Sequence, residues 1–352
     1  MDDQQVLGPA YLAVALQLTV AAVNRCPDRE SARVRISASL AHIAEKVRGT
    51  KHWLGPSLKL VVLPEYFLTS YPQTETIAAW ADKAALDING PEYEALGKIA
   101  QDNGVFLAGN AYETDAHFPG YYFQACFLID PAGKVVLRYR RLNSMFAPTP
   151  HDVWDKYVGI YGPEAIFPVA DTAIGKIGAI ASEEILYPEI ARCLAMRGAE
   201  VLVHPTSEAG SAKQTVKDVA KLARAIENMA YVVSANTGGL YDTDLAQDAG
   251  NGCSRIIDHR GTILREAGWG ETSNAWAEID LHALRRERRK PGMNNYLTRL
   301  RNEAFAPTYA QVSVQPANAL LNADGSLKTP ERAHFAEAQA RILERLTRQG
   351  LI

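Results

Sequence analysis

The order of short apolar runs and helix-like segments is the feature that most restricts the fold of this chain of 352 residues. Three apolar runs, YLAVALQ, LKLVVLPE and GVFLAGNAYE, are each long enough for a β-strand and are bounded by turn residues. Between them lie a helical pattern over about residues 28–48 and another that begins at Pro91. Strands that alternate with helices are typical of an α/β fold with a partly parallel sheet.

Two predicted hairpins add antiparallel pairs to this pattern. In residues 121–141, the β-rich runs YFQACFLID and KVVLRYRR are joined by Pro-Ala-Gly, and the segment CSRIIDHRGTILREAG turns at His-Arg-Gly. Between these hairpins, KIGAIAS, AEVLVHP and YVVSANTGG predict three strands. They are separated by a helix that starts at Pro188 and stops near Gly198, and by a helix through AKLARAIENMA. We therefore predict mixed sheets.

The domain organisation predicted from the sequence is one large domain with a tail. The length permits two domains, but an apolar content of 47% without a low-complexity break also suits a single α/β domain. We assign residues 1–284 to a catalytic-type domain and residues 285–352 to a C-terminal extension that ends in the helix PERAHFAEAQARILERLTRQG. We expect the apolar side chains of this helix to dock on the domain or on a neighbouring subunit. These side chains are Phe335, Ile342 and Leu346.

Charge and composition favour a small-molecule partner. The chain has 37 Lys and Arg residues against 40 Asp and Glu, which are interspersed and give a net charge of -3, so neither nucleic acid nor an anionic membrane is strongly attracted. We find no uninterrupted apolar run of about twenty residues, and the N-terminal segment carries acids where a signal peptide needs bases. The four cysteines are too far apart to suggest a zinc site or a disulfide framework. We expect a soluble protein of the reducing cytoplasm.

Three chemically active side chains lie at the carboxyl ends of predicted strands. Glu65 ends LKLVVLPE, Arg141 ends KVVLRYRR and Ser182 follows KIGAIA. Open α/β sheets commonly place ligands at this edge, so we expect the three side chains to share a pocket. An acid that closes a buried apolar run is costly unless it is paired, and Arg141 is the predicted partner of Glu65.

The motifs VVLPEYFL, GKVVLRYRR, YPEIARCLAMRGAEVLVHP, SANTGG and RIIDHRGTIL together resemble the nitrilase superfamily of carbon-nitrogen hydrolases, in order from about Tyr11 to Leu281. The resemblance implies an α/β fold, an α-β-β-α sandwich of two mixed β-sheets between helical layers, which associates through helices into an αββα-αββα dimer. It also implies a triad of glutamate, lysine and cysteine that hydrolyses or transfers amides and nitriles through a covalent intermediate, without metal or organic cofactor. Glu65 matches the glutamate, but Arg141 stands in place of the lysine and Ser182 in place of the cysteine.

These two substitutions weaken the implied chemistry. A free thiol has a pKa of ~8.5 and a serine hydroxyl is far less acidic, so Ser182 needs a stronger base than an ordinary glutamate. Arginine has a pKa above ~12, so Arg141 can stabilise an oxyanion or bind a carboxylate but cannot readily shuttle protons. Lys134 lies on the opposite face of the same predicted strand and does not replace the lysine. A deliberate replacement of cysteine by serine would explain Ser182 but not Arg141.

Further candidate residues surround this degenerate triad. The backbone N–H of Glu183 matches part of the family's oxyanion site, and the carboxylates of Glu183 and Glu184 provide either a general acid or base or only charge at a helix N-terminus. The loop after Arg141 lacks the second glutamate of active members, and His151 is the best compensating base there, although a solvated loop histidine is the commoner role. The substrate-binding residues predicted from matching family positions are Tyr66, Trp154, Tyr187 and Asn236.

Two functions of different classes follow from these residues. The first is a hydrolase of a small amide, nitrile or N-carbamoyl compound, with Ser182 as nucleophile, Glu65 as base and Arg141 as oxyanion stabiliser. The second is a catalytically impaired pseudoenzyme that binds a small carboxylate or amide ligand in the same pocket or serves in an assembly, and the loss of both thiol and lysine favours it. In both, the ligand is a small molecule and the protein is a homodimer or a higher homo-oligomer.

Overall fold

The structure is a computed structural model that describes residues 10–209, 211 and 213–352. The elements up to residue 161 are β1 (Ala10–Ala15), β2 (Thr19–Ala21), α1 (Arg29–Leu54), β3 (Leu58–Glu65), α2 (Ile77–Lys83), α3 (Pro91–Asn103), β4 (Phe106–Thr114), β5 (Tyr122–Ile129), β6 (Val135–Arg140) and α4 (Trp154–Tyr161). The later elements are β7 (Ala170–Thr172), β8 (Gly175–Ala179), α5 (Pro188–Met196), β9 (Val201–Pro205), α6 (Val216–Asn228), β10 (Tyr231–Ala235), β11 (Gly239–Tyr241), β12 (Arg255–Ile257), β13 (Ile263–Glu266), β14 (Trp276–Asp280), α7 (Leu281–Arg289), α8 (Asn302–Gln311) and α9 (Arg332–Arg348).

Most of the strands form two six-stranded sheets with similar layouts. The first sheet has the order β14-β1-β3-β4-β5-β6, and the second has the order β13-β12-β10-β9-β8-β7. In each sheet three central strands are parallel, and the flanking strands pair antiparallel. The short strands β2 and β11 pair separately. The prediction of mixed sheets and of both hairpins is confirmed.

The two sheets pack face to face between helical layers, which confirms the predicted α-β-β-α sandwich. On β3, Leu60 and Val62 belong to a buried cluster that includes Val203 of β9 in the second sheet. The alternate residues Val61 and Leu63 belong to a second cluster, which includes the buried face of α1. This division follows from the two-residue period of a strand, because successive side chains point to opposite faces. The apolar run LKLVVL is therefore buried on both sides.

Helix α1 begins where the sequence predicted but ends at Leu54 rather than near residue 48. Asp28 caps its first turn by accepting a hydrogen bond from the backbone N–H of Ser31. The predicted end was wrong because Thr50 continues the buried face of the helix, which includes Val47, beyond residue 48. An internal glycine costs a helix only about 1 kcal/mol relative to alanine, so Gly49 does not end it.

The C-terminal extension is continuous with the domain that precedes it. Helix α7 crosses the predicted boundary after residue 284, because Leu281 and Leu284 are both buried in the core. Farther along, Leu320 and Phe335 are buried in the cluster that covers the first sheet. These two side chains of the extension thus belong to the same cluster as the buried face of α1. Within the described parts of the chain, none of the helices has the length and apolar character needed to cross a membrane.

Candidate active site

Three strand ends bring Glu65, Arg141 and Ser182 into one buried group. Glu65 is the last residue of β3, Arg141 follows β6 and Ser182 comes shortly after β8. Arg141 Nη1 lies 3.8 Å from Glu65 Oε1, and the Ser182 hydroxyl is close enough to the Glu65 carboxylate to lower the pKa of that acid. The three residues are only 2%, 7% and 3% exposed. The structure therefore places together the three side chains that the sequence assigned to one pocket.

Gln124 of β5 joins the acid to the guanidinium group. Its Nε2 donates to Glu65 Oε1 at 2.5 Å, and its Oε1 accepts from Arg141 Nη1 at 2.8 Å. Its Nε2 also contacts Asn110 Oδ1 at 3.2 Å. Because both ends of the amide are used, Gln124 fixes the separation of the two charged groups. The sequence analysis missed this residue, and the only signal for it was a lone polar side chain inside the apolar run YFQACF.

Ser182 is held in an unusual backbone conformation. Its φ angle is +46°, in the left-handed region that a non-glycine residue adopts at a cost of roughly 1 kcal/mol or more. Burial, with a contribution from the charge of Lys221, holds the pKa of His204 well below its usual value, so the imidazole is neutral. Its Nε2 therefore donates to the Ser182 carbonyl at 2.8 Å, while Nδ1 accepts from Ser234 Oγ at 2.8 Å. These bonds stabilise the turn that presents the serine.

Lys217 of α6 places a positive charge beside the serine. Its Nζ lies 3.5 Å from Ser182 Oγ, and Thr206 Oγ1 lies 3.3 Å from the same oxygen. Lys134 is exposed and immediately precedes β6, at the end of the strand away from Arg141. The sequence analysis missed Lys217 because this residue comes from a helix 35 positions after the serine rather than from the strand that carries Arg141. An ammonium group is thus present at the site, although it enters from a different element.

Burial and neighbouring charges set the protonation of this group. Burial raises the pKa of Glu65 above its ordinary value, and the charges of Arg141 and Lys217 together with a hydrogen bond from Ser182 offset part of that rise. For Arg141, burial alone would lower the pKa, but the neighbouring Tyr66 and Glu65 raise it. Glu65 is therefore a stronger base than an exposed glutamate, and Arg141 is a permanent cation.

The two glutamates after Ser182 have separate roles. Glu183 Oε2 lies 2.7 Å from Arg141 Nη2, so its carboxylate joins the site. Glu184 is fully buried and accepts hydrogen bonds from Tyr139 Oη at 2.7 Å and from the backbone N–H groups of Leu142 and Asn143 at 2.8 and 2.9 Å. Its carboxylate fastens the loop after β6, so the two acids have different partners and do not form the carboxylate pair that was one of the two interpretations left open for them.

Asn236 has a supporting position rather than the predicted place in the pocket wall. It is 1% exposed, accepts from the backbone N–H of Glu208 at 2.8 Å, and donates to the carbonyl oxygens of Glu208 and Gly252 at 2.8 and 2.6 Å. The Glu208 carboxylate in turn receives Lys221 Nζ at 2.5 Å. Asn236 therefore orients the polar segment that follows β9.

His151 and Trp154 lie apart from the three central side chains. Their rings contact each other, with centroids 6.0 Å apart, and the His151 carbonyl accepts from the backbone N–H of Asn318 at 3.0 Å. Neither residue belongs to the wall of the cavity beside Arg141. Tyr187 is 40% exposed and lines a smaller hollow of about 140 Å³ against α9. Residues 144–147 of the same loop line the cavity, whereas His151 does not.

A cavity of about 230 Å³ opens beside this group. Its lining includes Tyr66, Gln124, Arg141, Glu183, residues 144–147 and Arg332 of α9. Tyr66 stacks on Tyr112 with ring centroids 4.9 Å apart. At roughly 30 Å³ for each water molecule, the volume suits a compact ligand.

A larger hollow of about 780 Å³ lies between α1 and α3, and its lining contains none of the three central side chains. Among the residues that the structure describes, no cluster of His, Cys, Asp and Glu could hold a metal ion.

Comparisons with known proteins agree with this fold. The carbon-nitrogen hydrolase family profile matches residues 19–289. The Xenopus laevis protein named omega-amidase NIT2-B is 26% identical over 227 residues, which are 64% of this chain and 78% of the relative. The crystal structure of Saccharomyces cerevisiae Nit3, a member of branch 10 of the nitrilase superfamily, has a TM-score of 0.61 at 22% identity and covers 80% of this chain and 94% of its own. A mutant amidase from Nesterenkonia sp. AN1 has a TM-score of 0.61 at 19% identity over 84% of this chain and 96% of its own, and it shows the acetamide moiety of fluoroacetamide added covalently at its active-site cysteine.

Proposed function

The chain belongs to the carbon-nitrogen hydrolase family, and we propose that it hydrolyses the C–N bond of a small amide, nitrile or N-carbamoyl compound with Ser182 as the nucleophile. Its relatives include a protein named omega-amidase and an amidase with an active-site cysteine. One observation carries the proposal: the Ser182 hydroxyl is close enough to the Glu65 carboxylate to lower the pKa of that acid, and it lies 3.5 Å from Lys217 Nζ. A hydroxyl between a base and a cation is the arrangement that nucleophilic catalysis needs.

The proposed acylation of an amide begins with proton transfer to Glu65. Ser182 Oγ loses its proton to the Glu65 carboxylate as it attacks the substrate carbonyl carbon. Negative charge then develops on the carbonyl oxygen, and the ammonium group of Lys217 and the backbone N–H of Glu183 are the donors proposed to stabilise it. Protonated Glu65 next gives the proton to the leaving amine, the C–N bond breaks, and an ester remains on Ser182.

The proposed second half of the reaction regenerates the serine. Glu65, again a carboxylate, takes a proton from a water molecule that attacks the ester carbonyl carbon. When the ester C–O bond breaks, the proton returns to Ser182 Oγ and the carboxylic acid product leaves. The elevated pKa of Glu65 supports both proton transfers, since a stronger base is needed for a hydroxyl than for a thiol.

Arg141 is proposed to position charges rather than to contact the oxyanion. Its Nη1 donates to Gln124, its Nη2 lies 2.7 Å from Glu183 Oε2, and its Nε donates to the Asn143 carbonyl. All three guanidinium nitrogens are therefore engaged. The sequence suggested Arg141 as the oxyanion stabiliser. Because its guanidinium group is engaged, we assign this role to the ammonium group of Lys217 instead.

The second candidate function is ligand binding without turnover. Two observations favour it: Ser182 is only 3% exposed, and the guanidinium group of Arg141 is fully occupied by neighbouring side chains and backbone. Such a pseudoenzyme would hold a small carboxylate or amide in the cavity of about 230 Å³. The two candidate functions share a site and differ in whether the serine is acylated.

Ammonia release combined with intact-protein mass distinguishes the two functions. We expect the unaltered protein to release ammonia from members of a panel of short primary amides, nitriles and N-carbamoyl amino acids, and to carry an acyl group during turnover. Ser182→Ala should abolish both signals because it removes the proposed nucleophile. Cys193→Ala, which removes the thiol nearest in sequence to the serine, should retain both. Activity that appears only in the double variant Ser182→Cys, Arg141→Lys would establish the pseudoenzyme instead.

We also propose a homodimer formed through the helices that cover the second sheet. Helix α6 exposes Val216, Val219 and Ile226, and α5 exposes Met196. A band of apolar side chains on neighbouring helices is typical of a protein interface. Light scattering should give a mass twice 38.5 kDa, and Val219→Glu should reduce it toward 38.5 kDa without loss of helical circular dichroism. A single-chain mass for the unaltered protein would rule the dimer out.

The four free cysteines support the proposed cytoplasmic location, which cell fractionation would check.

A further inference from the structure

Thr206 connects the acid and the serine of the candidate active site. It follows β9 directly and is fully buried. Its backbone carbonyl accepts from the backbone N–H of Glu65 at 3.2 Å, and its own N–H donates to the Ala235 carbonyl at 2.9 Å. Its hydroxyl oxygen lies 3.3 Å from Ser182 Oγ. The backbone of Thr206 is therefore held beside both residues by bonds that a change of its side chain leaves intact.

The Thr206 hydroxyl has a second partner in Glu208. Thr206 Oγ1 lies 3.4 Å from Glu208 Oε1, and the same carboxylate oxygen accepts from Lys221 Nζ at 2.5 Å. A threonine hydroxyl carries one proton and can donate it to one acceptor at a time. Because the distances from Oγ1 to Ser182 and to Glu208 are nearly equal, the hydrogen can turn from one oxygen to the other while Oγ1 stays in place.

The charge on Ser182 Oγ decides which of the two oxygens receives this hydrogen. While the serine is a neutral hydroxyl, the Glu208 carboxylate is the stronger acceptor. In the proposed reaction Oγ gives its proton to Glu65 and negative charge develops on Oγ, whereas the charge of Glu208 stays balanced by the buried Lys221. Hydrogen bonds to an ionised acceptor are roughly twice as strong as those between neutral groups. The Thr206 hydrogen should then turn toward the serine.

We propose that the Thr206 hydroxyl is a second hydrogen-bond donor to Ser182 Oγ, in addition to Lys217 Nζ, and that it stabilises the negative charge on this oxygen. The inference rests on the proposed amide hydrolysis and adds a residue to its mechanism. A serine hydroxyl is far less acidic than a thiol, so a donor that favours the charged form compensates in part for the absence of a thiol at position 182. Thr206 keeps its own proton throughout. The same donation stabilises Oγ when the ester C–O bond breaks.

Ionisation of a thiol introduced at position 182 tests this donor without any substrate. The ultraviolet absorbance of the thiolate in Ser182→Cys, measured against the same protein with the serine in place, gives the pKa of the introduced thiol. Thr206→Val removes the hydroxyl and keeps nearly the same side-chain shape. Combined with Ser182→Cys, it should raise this pKa by about one to two pH units, the effect of losing a hydrogen bond to a charged group.

Thr237→Val is the matched control for the thiol pKa. Thr237 is also a buried threonine, and within the described part of the chain its Oγ1 has no hydrogen-bond partner. This substitution should leave the pKa of the introduced thiol unchanged. Thr206→Ser, which keeps a hydroxyl group, should leave it near the value with threonine. A merely structural role for Thr206 would lower the free energy of unfolding in Thr206→Val without a change in the thiol pKa.

Steady-state kinetics of ammonia release provide the second measurement. With Ser182 in place, Thr206→Val should lower kcat about ten- to a hundredfold while KM stays within twofold, because Thr206 contacts the serine rather than the substrate. Thr206→Ser should restore most of kcat, and Thr237→Val should match the unaltered protein.

The two measurements separate this inference from the proposed function. A raised thiol pKa in the Thr206→Val background, with no ammonia release by the unaltered protein, would support the donor and contradict the hydrolase. Ammonia release with the same kcat in the unaltered protein and in Thr206→Val would support the hydrolase and overturn the donor. A thiol pKa that Thr206→Val leaves unchanged would overturn the donor whether or not the protein releases ammonia.

Discussion

Replacing Glu65 by glutamine is expected to lower kcat/KM for a small amide by about 10²- to 10⁴-fold, the range for loss of a general base. Glutamine has nearly the same shape and can still accept the hydrogen bond that Gln124 Nε2 donates to Oε1. What it cannot do is take the proton from Ser182. The variant therefore removes the chemistry and keeps the packing, and steady-state kinetics together with urea unfolding measure the two effects separately.

The pH dependence of kcat/KM in the unaltered protein also tests whether Glu65 is the base. Burial raises the pKa of Glu65, partly offset by Arg141, Lys217 and Ser182, and only the ionised form is a base. We expect kcat/KM to rise with pH through an apparent pKa above 4.5, and this limb should be absent in Glu65→Gln. A raised pKa means that folding favours the protonated acid, so the contribution of Glu65 to stability is lost as pH rises through the folded-state pKa. The free energy of unfolding at neutral pH should thus be unchanged or higher in the variant.

Glu113→Gln is the matched control for the catalytic prediction. Glu113 is also a fully buried glutamate whose pKa is raised by burial, but it lies on β4 and bonds to Tyr93 Oη at 2.5 Å. Activity should survive in this variant. If Glu65→Gln retained more than about a tenth of the activity, another group would have to be the base and the proposed mechanism would fail.

The sequence predicted the parts of the site that depend on local patterns. Glu65 ends an apolar run that is buried on both faces, so its position at a strand end followed from strand periodicity and the terminal acid. Arg141 ends a hairpin whose turn residues fixed the register, and Ser182 lies between a strand and a helix that starts at Pro188. Each of these positions is set by neighbours along the chain, and the family resemblance set their order.

The parts that the sequence did not predict are contacts between distant segments. Gln124 of β5 reaches Glu65 of β3 across the intervening strand β4, and Lys217 reaches Ser182 from the first turn of α6. Neither contact is indicated by a periodic pattern in the sequence, because each depends on the position at which one element packs against another. The cavity is lined by residues 144–147 rather than by His151 for the same reason, since the path of a long loop is decided by packing rather than by its composition.

Alternation along β6 gives adjacent arginines different surroundings. Arg141 points to the catalytic group, whereas Arg140 points to the opposite face and lies among the rings of Phe123, Tyr157 and Tyr161, with its guanidinium carbon 4.6 to 5.6 Å from their centroids. Arg140 is 1% exposed, and its Nη2 lies 2.6 Å from Asp115 Oδ2. A buried cation with one close carboxylate partner anchors the end of the strand that presents Arg141.

Replacing Asp115 by alanine is therefore expected to lower the free energy of unfolding by about 3 kcal/mol, the lower end of the range for breaking a buried ion pair, because Glu113 still lies near Arg140. Burial alone would raise the pKa of Asp115, but a hydrogen bond from Tyr161 and the charge of Arg140 lower it below its ordinary value. The stabilisation is thus present above the unfolded-state pKa of about 4 and is lost as pH falls further, so the difference between the proteins should shrink in acid.

Asp244→Ala is the control. Asp244 pairs with Arg25 at 2.9 Å, and their side chains are 87% and 61% exposed, so this variant should change stability by less than about 1 kcal/mol. Urea titrations at pH 7 and pH 3.5 measure both variants, and a loss below about 1 kcal/mol for Asp115→Ala would mean that the aromatic rings and Glu113 hold Arg140 in place without Asp115.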